Sequence, residues 1–156
     1  MDVPAASSEV VRRRFQRQAT RDTEPEMRLR RELHRRGLRY RVHVSVMPGD
    51  RRRADIVFSG ARIIVDVRGC WWHGCQEHRS LPKSNTDWWA AKIARNVARD
   101  QDTEGRLAAL GWLVVIVWEH QDSDAVADEV ERLVRSRKLT SQGVRRSQRR
   151  VRALAR

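Results

Sequence analysis

Apolar positions along the chain fall into short blocks with distinct periods. Leu29 and Leu33 stand four apart, between Thr23-Glu24-Pro25-Glu26 and Gly37. That spacing predicts a helix with Thr23 as N-cap, Glu26 as its capping-box partner, Pro25 in the first turn and Gly37 as its stop. Tyr40–Val46 alternates with period two, as a half-buried strand does. Ala54–Phe58 and Ala61–Val67 flank Ser59-Gly60 and predict a hairpin. With a two-residue turn, Phe58 faces Ala61 and Asp55 faces Ile64. Alternation then places Ile64, Asp66 and Arg68 on the face of Asp55, with Asp55 and Asp66 diagonal neighbours roughly 7–8 Å apart. A stripe of Trp89, Ile93, Val97, Leu107 and Leu110 predicts a long helix, capped by Thr86 or Asp87 and ended by Gly111. Trp112–Trp118 is continuously apolar, the mark of a central strand covered on both faces. Val126, Val130, Leu133 and Val134 predict a last helix over about 124–135. The stretch 61–118 is then strand–loop–helix–strand, a right-handed crossover to a parallel neighbour. The class is α/β, with a mixed central β-sheet flanked by helices.

Composition adds a partner to this frame. The 156 residues allow one domain with tails: a basic N-terminal arm over 1–19, an ordered domain over 20–135, and a basic, unfolded tail over 136–156. Hydrophobic residues at 40% suffice for a core. No apolar run reaches the length of a membrane span, and Met1-Asp2-Val3-Pro4 leads into no signal-like segment. The expected compartment is the cytoplasm, at the nucleoid, where the two cysteines stay reduced. A net charge of +13 and pI near 11.4 favour a polyanionic partner, nucleic acid above all. Arg12-Arg13-Arg14 and Arg17 supply cations at one end, and nine Arg or Lys over 135–156 supply them at the other. Four of the six tryptophans form two adjacent pairs, Trp71-Trp72 and Trp88-Trp89, more than a small core buries easily.

Candidate chemistry concentrates over 65–78, where the apolar run Ile63-Ile64-Val65 ends in acids, thiols and histidines. Cys70-x4-Cys75-x2-His78 is a compact soft-ligand set, and structural zinc takes Cys and His at such spacings with one distant ligand. His120, at the exit of the neighbouring strand, is the natural fourth. The alternative is a pair of free core cysteines. Asp55 and Asp66 on one sheet face are suited to share a hard divalent ion such as Mg²⁺, unless they are simply exposed edge acids. Asp100 puts a charge in the inner stripe of its helix, so it calls for a histidine, an arginine or a metal-bound water as partner. His73 is spare to the zinc set, free for acid–base work or merely a loop histidine. Lys92, Arg95 and Arg99 make a basic helix face. Glu26 shares a face with Leu29 and Leu33, so it either points inward or serves as the capping-box acid.

These residues resemble the very-short-patch (Vsr) mismatch repair endonucleases over about 100 residues. The shared motifs are Thr20-Arg21-Asp22-Thr23, Gly69-Cys70-Trp71-Trp72-His73-Gly74-Cys75, Lys92-Ile93 with Asn96 and Arg99-Asp100, and Val117-Trp118-Glu119-His120. The resemblance implies a restriction-endonuclease-like fold, a structural zinc, and a Mg²⁺-dependent nick 5′ of the thymine in a T:G mismatch left by 5-methylcytosine deamination. It implies Asp55 and the Val67 carbonyl on the metal, His73 as base, Asp100 orienting that base, and Glu26 as an active-site glutamate. Trp71, Trp72 and Trp89 fall on aromatics that wedge into DNA beside the mismatch, which suits flat apolar side chains at an unstacked step. The backbone would be held by Lys92, Arg95 and Arg99, with Asn96 alongside. A MutL-type partner is implied by the family, and a monomer suffices for a single-strand nick. Two positions depart. Arg68 stands where members carry His or Asp, and Asp66 where they carry an apolar residue. Asp55, Asp66 and Arg68 then resemble the acid–x–lysine pattern of the wider nuclease fold, with Arg68 placed to stabilise charge on the phosphate but unable to act as a base. Two rivals follow: a zinc-stabilised protein that binds distorted DNA without cutting, and a nuclease of this fold with another DNA target.

Overall fold

The computed structural model describes Arg13, Ala19, residues 21–78 and residues 81–154, with side chains as far as Thr140. The basic arm predicted over 1–19 lies outside the described residues, apart from Arg13 and Ala19. Helix α1 is Glu24–Arg35, strand β1 Arg41–Val44, β2 Ala54–Phe58, β3 Ile63–Arg68, helix α2 Thr86–Ala109, strand β4 Leu113–Trp118 and helix α3 Ser123–Leu154.

The sheet runs β1-β2-β3-β4, antiparallel up to β3 and parallel between β3 and β4. It is mixed, as the pattern predicts. Leu29 and Leu33 of α1 and Ala127, Val130 and Val134 of α3 pack on Ile56, Ile63 and Val65 on one face. Leu107 of α2 meets Met47, Val57 and Ile64 on the other. Three layers result, with α1 and α3 on one side and α2 on the other.

Several boundaries differ from the pattern. The hairpin pairs Phe58 with Ile63 and Val57 with Ile64, so its loop is four residues, 59–62. Arg62 closes that loop with a left-handed φ of 52°. The slip from the predicted register is two residues, which keeps every side chain on its predicted face; a slip of one would have inverted them. Strand β1 stops at Val44 rather than Val46, with His43 at a φ of 51°. Helix α2 is capped by Asn85, which takes the left-handed conformation, and not by Thr86 or Asp87. The Thr86 hydroxyl instead donates back to the Pro82 carbonyl at 3.0 Å. Leu110 is the C-cap and is 44% exposed, so it drops out of the inner stripe. Strand β4 lies at the sheet edge, not its centre. Its apolar run still has a cause: Leu113, Val115 and Val117 face one core and Val114 the other. Continuous hydrophobicity reports coverage of both faces, not position in the sheet. Helix α3 continues past 135 to Leu154.

Candidate active site and metal centre

The parallel pairing of β3 with β4 sets the site. Their register aligns Arg68 with Trp118, so the chain leaving each strand emerges side by side. The Glu119 N–H donates to the Arg68 carbonyl, and the Glu119 carboxylate accepts from the Cys70 N–H at 2.6 Å. Cys70 and His120 are thereby brought together, with the thiol sulfur 3.0 Å from His120 Nδ1.

Cys70, Cys75, His78 and His120 each offer one ligand atom, all within 4.8 Å of one another. Cys75 Sγ lies 3.9 Å from Nδ1 of both His78 and His120. A tetrahedral ion with Cys and His ligands needs donor separations of about this size. Both cysteines are free thiols and buried. Burial, then Cys75 and Glu119, push the Cys70 thiol up to about 11. Burial acts against Cys75 too, but His78 and nearby N–H groups hold it low. A cation bound there would displace the proton that burial keeps on Cys70. Glu77 sits 3.5 Å from the other ring nitrogen of His120, as outer carboxylates do behind metal-ligating histidines.

Between Cys70 and Cys75 the loop folds onto α2. Gly74 has a φ of 66°, and a Cβ there would sit 3.1 Å from a Val97 methyl and 3.5 Å from Ile93. The inner stripe of α2 thus ends on the sheet at Leu107 but on this loop at Ile93 and Val97. His73 is held beside it, with Nδ1 2.6 Å from Asp100 Oδ2. Asp100 has found the histidine partner that its place in the stripe called for. Burial works against its charge, but the His73 bond and charge, with Arg68 and Arg99 beyond, hold its carboxyl below the usual range. Asn96 donates to the Trp72 carbonyl at 3.1 Å. Its described contact is therefore with the tryptophan loop. Trp72 meets Trp71 and Trp89 edge to face at centroid distances of 4.5 and 6.1 Å, Trp71 and Trp89 pack tilted at 4.8 Å, and Trp88 lies 4.6 Å from Trp89. All four are half-buried, so the paired tryptophans form a partly exposed cluster on the loop and the start of α2. Along α2, Arg95 and Arg99 are exposed and Lys92 half-exposed.

On the sheet face toward α2, the observed register carries Asp55 opposite Asp66. The Val67 N–H donates to Asp55 at 2.9 Å. Burial pushes the Asp55 carboxyl up to about 7; the Val67 bond opposes this, and the charges of Asp66 and Glu26 add to it. Arg68 is 7% exposed and clamps two acids, Asp66 at 2.8 Å and Glu104 at 2.7 Å. The guanidinium predicted to face a phosphate is thus engaged inside the protein. Glu104 was not singled out in the sequence; its signal is its place four residues after Asp100 and three before buried Leu107 on one face of α2.

At the start of α1, Glu26 is 4% exposed and points inward. It also reaches back to the helix start, accepting from the Asp22 N–H at 3.0 Å and the Thr23 hydroxyl at 3.1 Å. The two alternatives for Glu26 are both realised, with Asp22 in place of Thr23 as the N–H it caps. Arg30 binds Glu26 at 3.0 Å, Asp22 at 2.5 Å and His43 at 3.2 Å. Arg30 and His43 carried no sequence signal as site residues, because their meeting depends on where β1 crosses α1.

Comparison with known proteins supplies the relatives. The family described as DNA mismatch endonuclease Vsr matches residues 5–79. The type II nicking enzyme V.XorIIP of Xanthomonas oryzae pv. oryzae is 45% identical over 122 residues, 76% of this chain and 87% of that protein. The type II nicking enzyme V.NaeI of Lentzea aerocolonigenes is 40% identical over 114 residues, 71% of this chain and 69% of that protein. The DNA mismatch endonuclease Vsr of Escherichia coli is 42% identical over 104 residues, 65% of this chain and 64% of that protein.

Proposed function

The chain belongs to the Vsr family of DNA mismatch endonucleases, and on that premise we propose that it nicks one strand of duplex DNA 5′ of the thymine in a T:G mismatch. The observation that carries the reading is the 2.6 Å contact between His73 Nδ1 and Asp100. An N–H at Nδ1 donating to a carboxylate leaves Nε2 with its lone pair, the form a general base requires. His73 then takes a proton from the attacking water, and Asp100 holds the ring and stabilises its charged form.

Asp55, with Asp66 and the Val67 carbonyl, would hold Mg²⁺. The donor set fits a hard ion: the two aspartates stand opposite each other on neighbouring strands, and burial, with the charge of Asp66 beside it, works against ionising Asp55, a cost a bound cation would offset. Bound there, Mg²⁺ supplies charge stabilisation at the phosphate oxygens. Arg68, clamped between Asp66 and Glu104, sets the angle of Asp66 rather than touching the substrate. Cys70, Cys75, His78 and His120 would hold Zn²⁺, fixing the loop that carries His73 and the tryptophans. Trp71, Trp72 and Trp89 enter the unstacked mismatch step, while Lys92, Arg95 and Arg99 grip phosphates. One copy of the chain suffices for one cut.

The test is nicking of T:G, matched and single-stranded substrates with Mg²⁺. Only the T:G duplex is cut under the proposal, and Asp55→Ala abolishes the cut while leaving binding within a few-fold. Equal cutting of matched duplex points to another DNA target; nicking by the alanine variant removes Asp55 from the metal site.

A further inference from the structure

The loop from β1 to β2, residues 45–53, ends in three consecutive arginines, Arg51, Arg52 and Arg53. It lies at the end of the sheet that carries the candidate active site. Strand β2 runs antiparallel to β3, so its start at Ala54 stands beside the exit of β3 that leads to His73. The loop is fastened to the protein. Met47 is buried with Val57, Ile64 and Leu107 between the sheet and α2. The Asp50 N–H donates to the Met47 carbonyl at 3.2 Å, and the Ser45 hydroxyl donates to the Asp50 carbonyl at 3.0 Å. The Arg52 guanidinium donates to Asp102 and Thr103 of α2, each at 2.7 Å, and Arg106 of α2 reaches Asp50 at 2.8 Å.

The arginines on either side of Arg52 are not used in this way. Both are exposed. Among the described residues the Arg53 guanidinium makes one bond, to the His43 carbonyl at 2.9 Å, and the Arg51 guanidinium makes none. Arg52 and Arg106 answer the acids Asp50 and Asp102, so Arg51 and Arg53 are the surplus charge of the loop. Their place continues a basic stripe. At 100° per residue, Lys92, Arg95, Arg99, Thr103 and Arg106 fall within an arc of about 80° on α2. From Lys92 to Thr103 that stripe runs about 16 Å at the helical rise of 1.5 Å per residue. It meets the loop at Thr103, through Arg52. Cations therefore follow one another from the start of α2 to the start of β2, past the acids of the sheet. A solubilising charge run needs no buried methionine and no guanidinium tie to hold it still.

We infer that the loop over 45–53 extends the phosphate-binding track of α2 across the end of the sheet, with Arg51 and Arg53 binding the duplex backbone beside the cut. The inference rests on the reading that DNA meets the protein at Asp55 and His73. Phosphates are the matching ligand: a guanidinium presents a fork of donors to phosphate oxygens, and a loop already anchored loses little freedom when they meet. Such contacts fix the register of the duplex and read no bases. Reach sets their place. Arg51 stands four residues before Asp55, so the two Cα atoms are at most about 14 Å apart. One strand of duplex carries a phosphate about every 3.4 Å along the axis, which puts the contacts within roughly four nucleotides of the cut. Arg51 and Arg53 then hold the strand on the loop side of Asp55, while Lys92, Arg95 and Arg99 hold it on the α2 side.

The experiment titrates full-length protein, without divalent metal, against T:G and matched duplexes over a salt series, so its result does not depend on nicking. In R51Q/R53Q the affinity for both duplexes is expected to fall about tenfold, and the slope of log affinity against log salt to drop by about 2, near 0.9 for each phosphate. R51Q alone, which removes no described contact, should lower the slope by about 1, and an unchanged melting temperature confirms that each variant is folded. Neutral methylphosphonates placed one at a time within four nucleotides of the cut locate the contacts. At a contacted phosphate the modification weakens binding by the wild type and leaves R51Q/R53Q unaffected. Unchanged affinity and slope overturn the inference, and so do losses from variant and modification that simply add at every position. A wild-type protein with no preference for the T:G duplex would count against the functional reading instead, while the salt slope on matched duplex still tests the loop.

Discussion

His73 and Asp100 show how a single contact carries function. Removing the negative charge with Asp100→Asn takes away the group that stabilises the protonated ring. Nicking is expected to fall about 10²–10⁴-fold, the usual contribution of general base catalysis, with substrate affinity nearly unchanged; a fall below tenfold on single-turnover measurement removes Asp100 from the dyad. Asp55 yields a prediction in pH. Its carboxyl is pushed up to about 7 from an ordinary 3.8, chiefly by burial. A folded pKa above the unfolded one means that Asp55 favours the fold fully below about 4, and that this contribution is lost as pH rises through about 7. Metal-free protein therefore gains thermal stability from Asp55→Asn at pH 8 but not at pH 4, and Mg²⁺ raises the wild-type melting temperature more at pH 8 than at pH 5. A Mg²⁺ shift independent of pH would place the ion elsewhere. Sequence reached these residues unevenly. Asp100 was legible because a charge in an apolar stripe demands a partner, and the loop over 70–78 offered histidines. The fate of Arg68 was not, since it turns on Glu104, a carboxylate whose meaning appears only once α2 is laid on the sheet.

At the level of elements, periodicity fixed faces better than ends. The hairpin slipped by two residues, and the side chains kept their faces because the strand period is two. Asp55 and Asp66 consequently moved from diagonal to opposite positions, strengthening the pairing of acids. The edge position of β4 was hidden because hydrophobicity counts covered faces, and β4 has helices over both. The α3 boundary was missed because the apolar stripe breaks after Val134, with Leu139 the one apolar residue over 135–143. The loop from β3 to α2 depends on one backbone feature. Gly74 takes a left-handed φ with Val97 directly beneath it. Gly74→Ala adds a methyl group where both the dihedral and the space are unfavourable, and is expected to cost about 1–2 kcal/mol. Because this loop carries His73 and Trp72, nicking should fall by more than the stability loss alone explains; thermal melting and single-turnover nicking measured together distinguish that from simple unfolding.

Taken whole, the molecule is proposed to carry two metal roles that act on different parts of the fold, and removal of each should look different. The Cys/His cluster joins the loop after β3 to the exit of β4, two segments about 45 residues apart in the chain. With no cation, the buried Cys70 thiol keeps its proton and His78 and His120 lose their common partner, so the tie between the Cys75 end of the loop and the exit of β4 is lost, while the Glu119 contact, the tryptophan packing, Asn96 and the His73–Asp100 pair remain. The Asp55 site, by contrast, lies on strands already fixed by their ladder. A strong zinc chelator should therefore lower the melting temperature, shift the emission of the clustered tryptophans and abolish nicking, all reversed by Zn²⁺ but not by Mg²⁺. Removing Mg²⁺ alone should abolish nicking while leaving tryptophan emission unchanged, with activity restored by Mg²⁺ alone. The cysteine cluster sits at the strand exits and the acids within the strands, so the two responses separate only if the clasp orders the loop and the acids hold the reactive ion. A zinc-stripped protein that keeps its emission spectrum and melting temperature would mean that the loop is ordered by its packing on α2, leaving the four ligands with no part in holding the indoles.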